Sequence, residues 1–348
     1  MKGYYNTVSR IAYFKEKVVG VGENFKIESD TLHYHTLDKR AVFIGPTYLT
    51  NKDGKLYTEK GEYNTETEVS KFESRTSVVQ KEYILTADKI TYDKKRNLGN
   101  ASGNVHLTSL KDTVVVLGNK AIYKGNIGYT KVYENVLVKM KNGIDTLLLK
   151  TDTLIYVSDS LKKQKYISAF PKAKLFKEDI QGICDSLVYN QFDSTIYMYK
   201  QPTLWAQKSQ MNADSIRLQM VNNRLDKMYL RKNAIVISED SIKNHNQVKG
   251  KNMLAHFKEN KIQKVDVNGN GESVYFATEN DTLLVGMNRI ACSNMVIRFK
   301  ENQINTFTFL QKPEARFVPE HEIVEPDKFL KGYSWRINEI PRKEEMAR

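Results

Sequence analysis

The 348-residue chain carries 54 Lys and Arg against 41 Asp and Glu, a formal net charge of +13, with 40% hydrophobic and 27% charged residues. That balance excludes a disordered chain, and no apolar run reaches the roughly 18 residues of a membrane-spanning helix. Twenty Tyr and 14 Phe against two Trp and seven Pro favour strands over helices.

The opening residues, Met1-Lys2-Gly3-Tyr4-Tyr5-Asn6, lack the apolar core of a secretory leader, so the expectation is a cytoplasmic protein or a trimmed form of an exported one. From Ser29 a pattern begins that recurs along the chain: a small residue, then Asp, Ser or Asn, then an alternating apolar run often ending in Tyr. The copies are Ser29–Tyr34, Ala87–Tyr92, Gly118–Tyr123, Thr151–Tyr156, Cys184–Tyr189 and Ala213–Leu218, with weaker ones at Glu59–Tyr63, Lys251–His256 and Cys292–Ile297. Their spacing is about 29 to 33 residues and lengthens to roughly 40 near the end, the range of stacked supersecondary units.

Each copy is followed by a turn and a second extended segment introduced by Gly, Asn or Pro. Examples are Gly45-Pro46-Thr47, Gly103-Asn104-Val105, Glu134-Asn135-Val136, Pro171-Lys172-Ala173, Gln201-Pro202-Thr203, Lys232-Asn233-Ala234 and Lys312-Pro313-Glu314. Pro46, Pro171, Pro202 and Pro313 share one repeat position, which must be a corner or bulge, because proline inside a central strand deletes a ladder hydrogen bond. Turns such as Lys94-Lys95-Arg96-Asn97, and those around Asn223, Asn260 and Asn302, carry hairpin chemistry. Within the segments the apolar period is two.

The residues therefore predict an all-β array of about nine strand-turn-strand repeats paired antiparallel in sequence order. The array is expected to run continuously over 1–319, divisible into modules of about 1–145 and 146–319. The charged segment 320–348 breaks the pattern and reads as a cap for the open end of the array or a flexible extension.

Templates for chemistry fail. There is no Gly-x-Ser-x-Gly, no phosphate-binding glycine loop and no His-Glu-x-x-His. His33 and His35 alternate with Leu32 and Tyr34, which puts both on the solvent face. Asp266–Gly271 begins like a calcium loop, but its twelfth position is Ala277, so a Gly-rich bend is expected. Gly20-Val21-Gly22 reads as a bulge. Cys184 and Cys292 fill the small-residue slot of their repeats and read as buried hydrophobes. No enzyme activity, cofactor or metal is expected. Basic residues are dispersed and mixed with acids, against a nucleic-acid partner, while the net charge suits an anionic one.

The repeat, together with strings such as Met228–Ala234, Val265–Glu272, Phe307–Ala315 and Leu330–Trp335, resembles the OstA-type repeat of the LptA family of periplasmic lipopolysaccharide-transport proteins. The pattern is also similar to that of the large OstA-like proteins of Bacteroidetes-type bacteria. The resemblance implies an elongated, twisted, open β-jelly roll in which two antiparallel sheets form a V-shaped trough. It further implies a periplasmic location, possible association with the outer membrane, and lipopolysaccharide or a related anionic acylated glycolipid as ligand. Partners would be other Lpt-type jelly-roll proteins joined by edge strands, LptC-like at the inner membrane and LptD-like at the outer.

Strand phase nominates the side chains lining such a trough. On the first segments these are Leu32, Tyr34, Ile90, Tyr92, Leu154, Tyr156, Leu187, Tyr189, Ile216 and Leu218. On the second they are Val105, Leu107, Val136, Val138, Leu175, Trp205, Val236 and Phe317. The alternative is a structural or adhesive envelope array with a closed, dry core, in which the same side chains are ordinary packing.

Overall fold

The computed structural model describes residues 1–346 except 24, 53, 112, 143–144, 160–163, 223, 260 and 301–302. The turns expected around Asn223, Asn260 and Asn302 thus fall in part outside the described residues. The described residues form 25 strands and one four-residue α-helix, Lys343–Met346. Two compact units divide the chain, Met1–Lys165 and Tyr166–Arg348.

In the first unit the strands are β1 (Lys2–Asn6), β2 (Ile11–Val21), β3 (Phe25–His35), β4 (Arg40–Asn51), β5 (Gly54–Asn64) and β6 (Val69–Gln80). They continue as β7 (Tyr83–Asp93), β8 (Leu98–Ser109), β9 (Val114–Lys124), β10 (Tyr129–Asn142) and β11 (Asp145–Asp159). Each pairs antiparallel with the next, the expected sequential pairing.

A register break crosses every strand from β2 to β11 near its middle. On β2, β8 and β10 it is a left-handed pair, Glu16-Lys17, Gly103-Asn104 and Glu134-Asn135, and β4 turns at Gly45 with Pro46. On β3, β7, β9 and β11 a single Asp or Asn is skipped: Asp30, Asp88, Asn119 and Asp152. Extra residues of this kind bend a strand, so each strand turns a corner and serves two sheets. The recurrent Asp ties the corner, as when Asn104 Nδ2 donates to Asp88 Oδ2 at 2.9 Å. The first sheet holds β1 and segments such as 31–35, 89–93 and 153–157; the second holds segments such as 25–29, 83–87 and 145–151.

In the second unit the corner interrupts several strands outright. They are β12 (Gln164–Phe170), β13 (Ala173–Lys177), β14 (Ile180–Cys184), β15 (Ser186–Asn190), β16 (Thr195–Tyr199), β17 (Thr203–Ala206), β18 (Ser209–Asn212) and β19 (Ser215–Val221). Longer strands follow: β20 (Arg224–Glu239), β21 (His245–Lys258), β22 (Lys261–Glu279), β23 (Leu283–Lys300), then β24 (Gln303–Leu310) and β25 (Glu314–Pro319). One sheet runs β12-β15-β16-β19 into the N-terminal half of β20; the other runs β13-β14-β17-β18 into its C-terminal half.

All four flagged prolines sit at the corner, but not in one phase. Pro46 and Pro171 belong to the bend itself, the latter after a cis peptide, whereas Pro202 and Pro313 follow left-handed pairs at Lys200-Gln201 and Gln311-Lys312. The bend expected at Asp266–Gly271 is the corner of β22, with Gly269 and Asn270 left-handed. Gly20 is no bulge: it pairs regularly with Ile27, and the break in β2 lies earlier, at Glu16-Lys17.

Among the described residues, the segment after Pro319 packs on a sheet face, in place of the expected cap or free extension. It lies as a strap on the outer face of the second sheet of its unit. Leu330 and Ile323 pack with Val274, Phe276, Met287 and Val318. Gln247, buried on β21, donates from Nε2 to Lys328 O (2.7 Å) and accepts at Oε1 from Leu330 N (2.8 Å). Gln210, buried on β18, does the same further along, donating to Ser334 O (2.6 Å) and accepting from Arg336 N (2.7 Å).

Candidate functional site

The contacts between the sheets define the inner faces. In the first unit Ile90, Ala101 and Ala121 of the first sheet pack with Ala87, Val105, Val78 and Leu85 of the second. A Cβ on Gly118 of the second sheet would lie 2.5 Å from Val132 Cγ1 of the first.

Following the register inward from these contacts gives continuous rows. Nearest the corner, the first sheet presents Phe14, Leu32, Phe43, Gly61, Phe72, Ile90, Ala101, Ala121, Val132 and Leu154. One step towards the strand tips lies a second row that includes Tyr34, Tyr92 and Tyr156. Facing these, the second sheet has small or β-branched residues at the corner, among them Ser29, Thr47, Ala87, Val105 and Val136. Its next row is aliphatic: Ile27, Leu49, Leu56, Val78, Leu85, Leu107, Val116, Val138 and Leu149. A side-chain period of two makes each row share one face.

The ten residues nominated in the first unit all lie in these four rows. Ile90, Val105, Val136, Val138 and Leu154 are buried, while Leu32, Tyr34, Tyr92, Leu107 and Tyr156 are half-buried. Phe14, Phe43 and Phe72 were not nominated, although their spacing of 29 residues was the available signal. Across the trough, Tyr83 of the second sheet is more than half-buried; burial first, then the neighbouring Tyr123 and Tyr92, pushes its phenol up to about 12.

In the second unit Leu187 and Ile216, with Ala169, Met198, Leu230, Met253, Val267 and Met295, form a fully buried inner row, and Tyr189 and Leu218 stand in the row beside it. Leu175 and Val236 share the facing row with Gly182, Leu204 and Met211. A Cβ on Gly182 would meet Met198 Cε at 3.3 Å, which fixes that row as interior. Phe317 has the inner phase on the edge strand β25 but is 50% exposed.

Trp205 departs from its expected placement. It neighbours Leu204, so it points to the opposite face, where it is 2% exposed beneath the strap and donates from Nε1 to Gln210 Oε1 at 3.2 Å. The reason is the phase of Pro202. Because the left-handed pair precedes it, Pro202 takes the first inner position, Leu204 the next, and Trp205 turns outward; a one-residue slip exchanges the faces of a strand.

Other titratable groups have structural roles. His33 packs edge-on to Tyr13 on the outer face at 4.6 Å, and burial, then Lys15 and His35, lower its pKa. Cys184 and Cys292 are buried free thiols, and burial pushes Cys184 up to about 12. A cavity of about 530 Å³ at the outer corner is lined by Glu59, Glu73, Ser74, Asp88 and Lys89. Among the described residues no group of three or more His, Cys, Asp or Glu converges to hold a metal ion.

Two antiparallel sheets meeting along a bulged corner, with apolar inner rows, define a protein of the β-jelly-roll class. A family model described as OstA-like protein matches residues 1–88 and again 84–214, and the chain belongs to that family. Two successive matches are what an internal repeat produces, and beyond residue 214 the same two-sheet pairing continues to β25. No curated protein matches the sequence. OstA-like proteins are transport proteins of the periplasm and envelope, associated with lipopolysaccharide and lipid movement. No helix among the described residues is long and apolar enough to cross a membrane.

Proposed function

We propose that the protein is a non-enzymatic conduit for lipopolysaccharide or a related anionic acylated glycolipid, with the acyl chains held between the two sheets and the headgroup outside. The observation that carries this reading is the pair of facing apolar rows in the first unit, Phe14 to Leu154 of the first sheet across β2 to β11 and Ile27 to Leu149 of the second across β3 to β11. Several of those side chains remain half-buried, so the facing rows have apolar surface still to cover.

The second unit favours the drier reading for its own part. Its inner row is buried throughout, with Met198, Ile216, Met253, Val267 and Met295 at 2% exposure or less. The lipid path is therefore proposed for the first unit, and the second is read as packed and dry. Similar jelly-roll proteins, LptC-like or LptD-like, would add to edge strands: β1 in the first unit, β24 and β25 in the second.

Photo-crosslinking tests the assignment. A photoreactive residue replacing inward-facing Tyr156 is expected to capture labelled lipopolysaccharide, while one replacing Lys139, exposed on the outer face, is not. Equal labelling at both positions, or labelling at Lys139 alone, contradicts a path between the sheets.

A further inference from the structure

The second inner row of the first sheet has an order that apolar packing does not require. Read across the strands it runs Tyr5, Ala12, Tyr34, Ala41, Tyr63, Ser70, Tyr92, Gly99, Tyr123, Thr130, Tyr156, each directly paired with the next. Every second strand brings a tyrosine and every strand between brings a small residue. With strands about 4.8 Å apart, the rings recur roughly every 10 Å. Gly99 shows the spacing at work: a Cβ there would meet Tyr123 Cβ at 3.5 Å and Tyr92 Cδ2 at 3.6 Å, so rings close over the small residue from both sides.

The phenols stand at the water boundary. Tyr5 is 45% and Tyr123 39% exposed, and the remaining four are half-buried. Tyr92 Oη donates to Asn97 Oδ1 at 3.0 Å, in the hairpin tip that also carries exposed Lys94, Lys95 and Arg96. Tyr5 Oη lies 3.5 Å from Thr36 Oγ1 in the next tip but one. The facing row of the second sheet, from Ile27 to Leu149, is aliphatic, and the phenol that stands one step beyond it, Tyr83, is a single ring beside Tyr92 and Tyr123, not part of a repeating row. The two lips of the trough therefore differ in chemistry.

Accepting the lipid-path reading of the first unit, we infer that the tyrosine row is a headgroup rail. Its rings line the acyl side, and its hydroxyls bond the polar junction of an acylated, phosphorylated sugar at one lip only, so that the amphiphile enters with its head towards the first sheet. Tyrosine suits such a boundary because one end is apolar and the other seeks a hydrogen-bond partner. The basic tip Lys94-Lys95-Arg96 beside Tyr92 suits phosphate, while the neighbouring tip carries Glu66 and Glu68, the latter 3.7 Å from Lys94 Nζ.

The test separates head from tail by using two ligands on the full chain. Lipid A, a diphosphorylated acylated disaccharide, carries both; cis-parinaric acid is an acyl chain without a sugar. The variant combining Tyr34→Phe, Tyr63→Phe, Tyr92→Phe and Tyr123→Phe keeps every ring. Losing several hydroxyl bonds is expected to weaken lipid A about tenfold or more, with parinaric acid affinity within about twofold of the native protein. Tyr5→Phe with Tyr123→Phe, at the two most exposed rings, spares folding and is expected to cost lipid A about threefold. Unchanged lipid A binding in both variants overturns the rail and leaves the acyl trough standing. Equal losses for both ligands overturn it too, because they assign the row to acyl packing. Failure of either ligand to bind the native protein removes the lipid-path reading beneath it.

Discussion

Gly118 and Gly99 are both inner-face glycines of the first unit, yet their environments differ. At Gly118 an added methyl would press to 2.5 Å from Val132 Cγ1, a side chain held in the packed corner row. Gly118→Ala is expected to destabilise the protein by about 1–3 kcal/mol, the range for overpacking a filled core. At Gly99 the nearest atoms stand at ordinary contact distance, so Gly99→Ala is expected to be neutral or stabilising by up to about 1 kcal/mol through the unfolded chain. Paired urea denaturation curves check both, and a larger loss at Gly99 than at Gly118 contradicts the account. Residue-level phase was largely legible in the sequence: Leu32, Ile90 and Leu154 follow from alternation beside a recurring Asp. Trp205 was not, because the apolar segment Thr203-Leu204-Trp205 is hydrophobic on both faces and only the bulge before Pro202 decides between them.

The C-terminal strap shows the limit of pattern reading at the scale of an element. Its charges suggested a cap for the array end or a flexible extension, but Leu330 and Ile323 pack on the sheet and the strap backbone bonds its buried glutamines, and backbone carries no sequence signal. Gln210 and Gln247 satisfy strap carbonyls and amides much as a neighbouring strand would, and Arg336 Nη1 adds a bond to Thr203 Oγ1 at 2.7 Å. The strap also supplies Trp335, so deleting residues 324–348 leaves Trp205 as the single fluorophore of its kind. Its emission is expected to shift to the red as water reaches the indole, with the melting temperature falling by on the order of 10 °C. A blue, unshifted spectrum in the truncated chain contradicts the burial described.

At the scale of the molecule, the two units should differ in resistance to opening. Both share the corner and the sequential pairing, but the inner row of the second unit is closed by methionine and aliphatic side chains, and the first keeps half-buried positions along its length. Hydrogen exchange is expected to protect amides at Met253, Val267 and Met295 longer than those at Ile27, Leu32 and Leu49, since local opening tracks buried apolar contact. The reverse order contradicts the assignment of the looser interior to the first unit. The repeat and the all-β class could be read from spacing alone; the difference between the units could not, because it depends on how closely the facing rows approach.

The corner has a consequence for how such a protein can change over generations. Each strand pair carries its own bend, its own tyrosine and its own small partner, and pairs only with its neighbours. Duplicating a segment of 29 residues from one tyrosine of the row to just before the next, such as Tyr34 to Glu62, therefore inserts two strands with every face already correct, whereas gaining a single residue inside a strand inverts the side chains beyond it. Length in this architecture is a quantity that can be dialled in steps of roughly 10 Å of trough, so gene duplication can fit the span to a new distance without redesigning the parts.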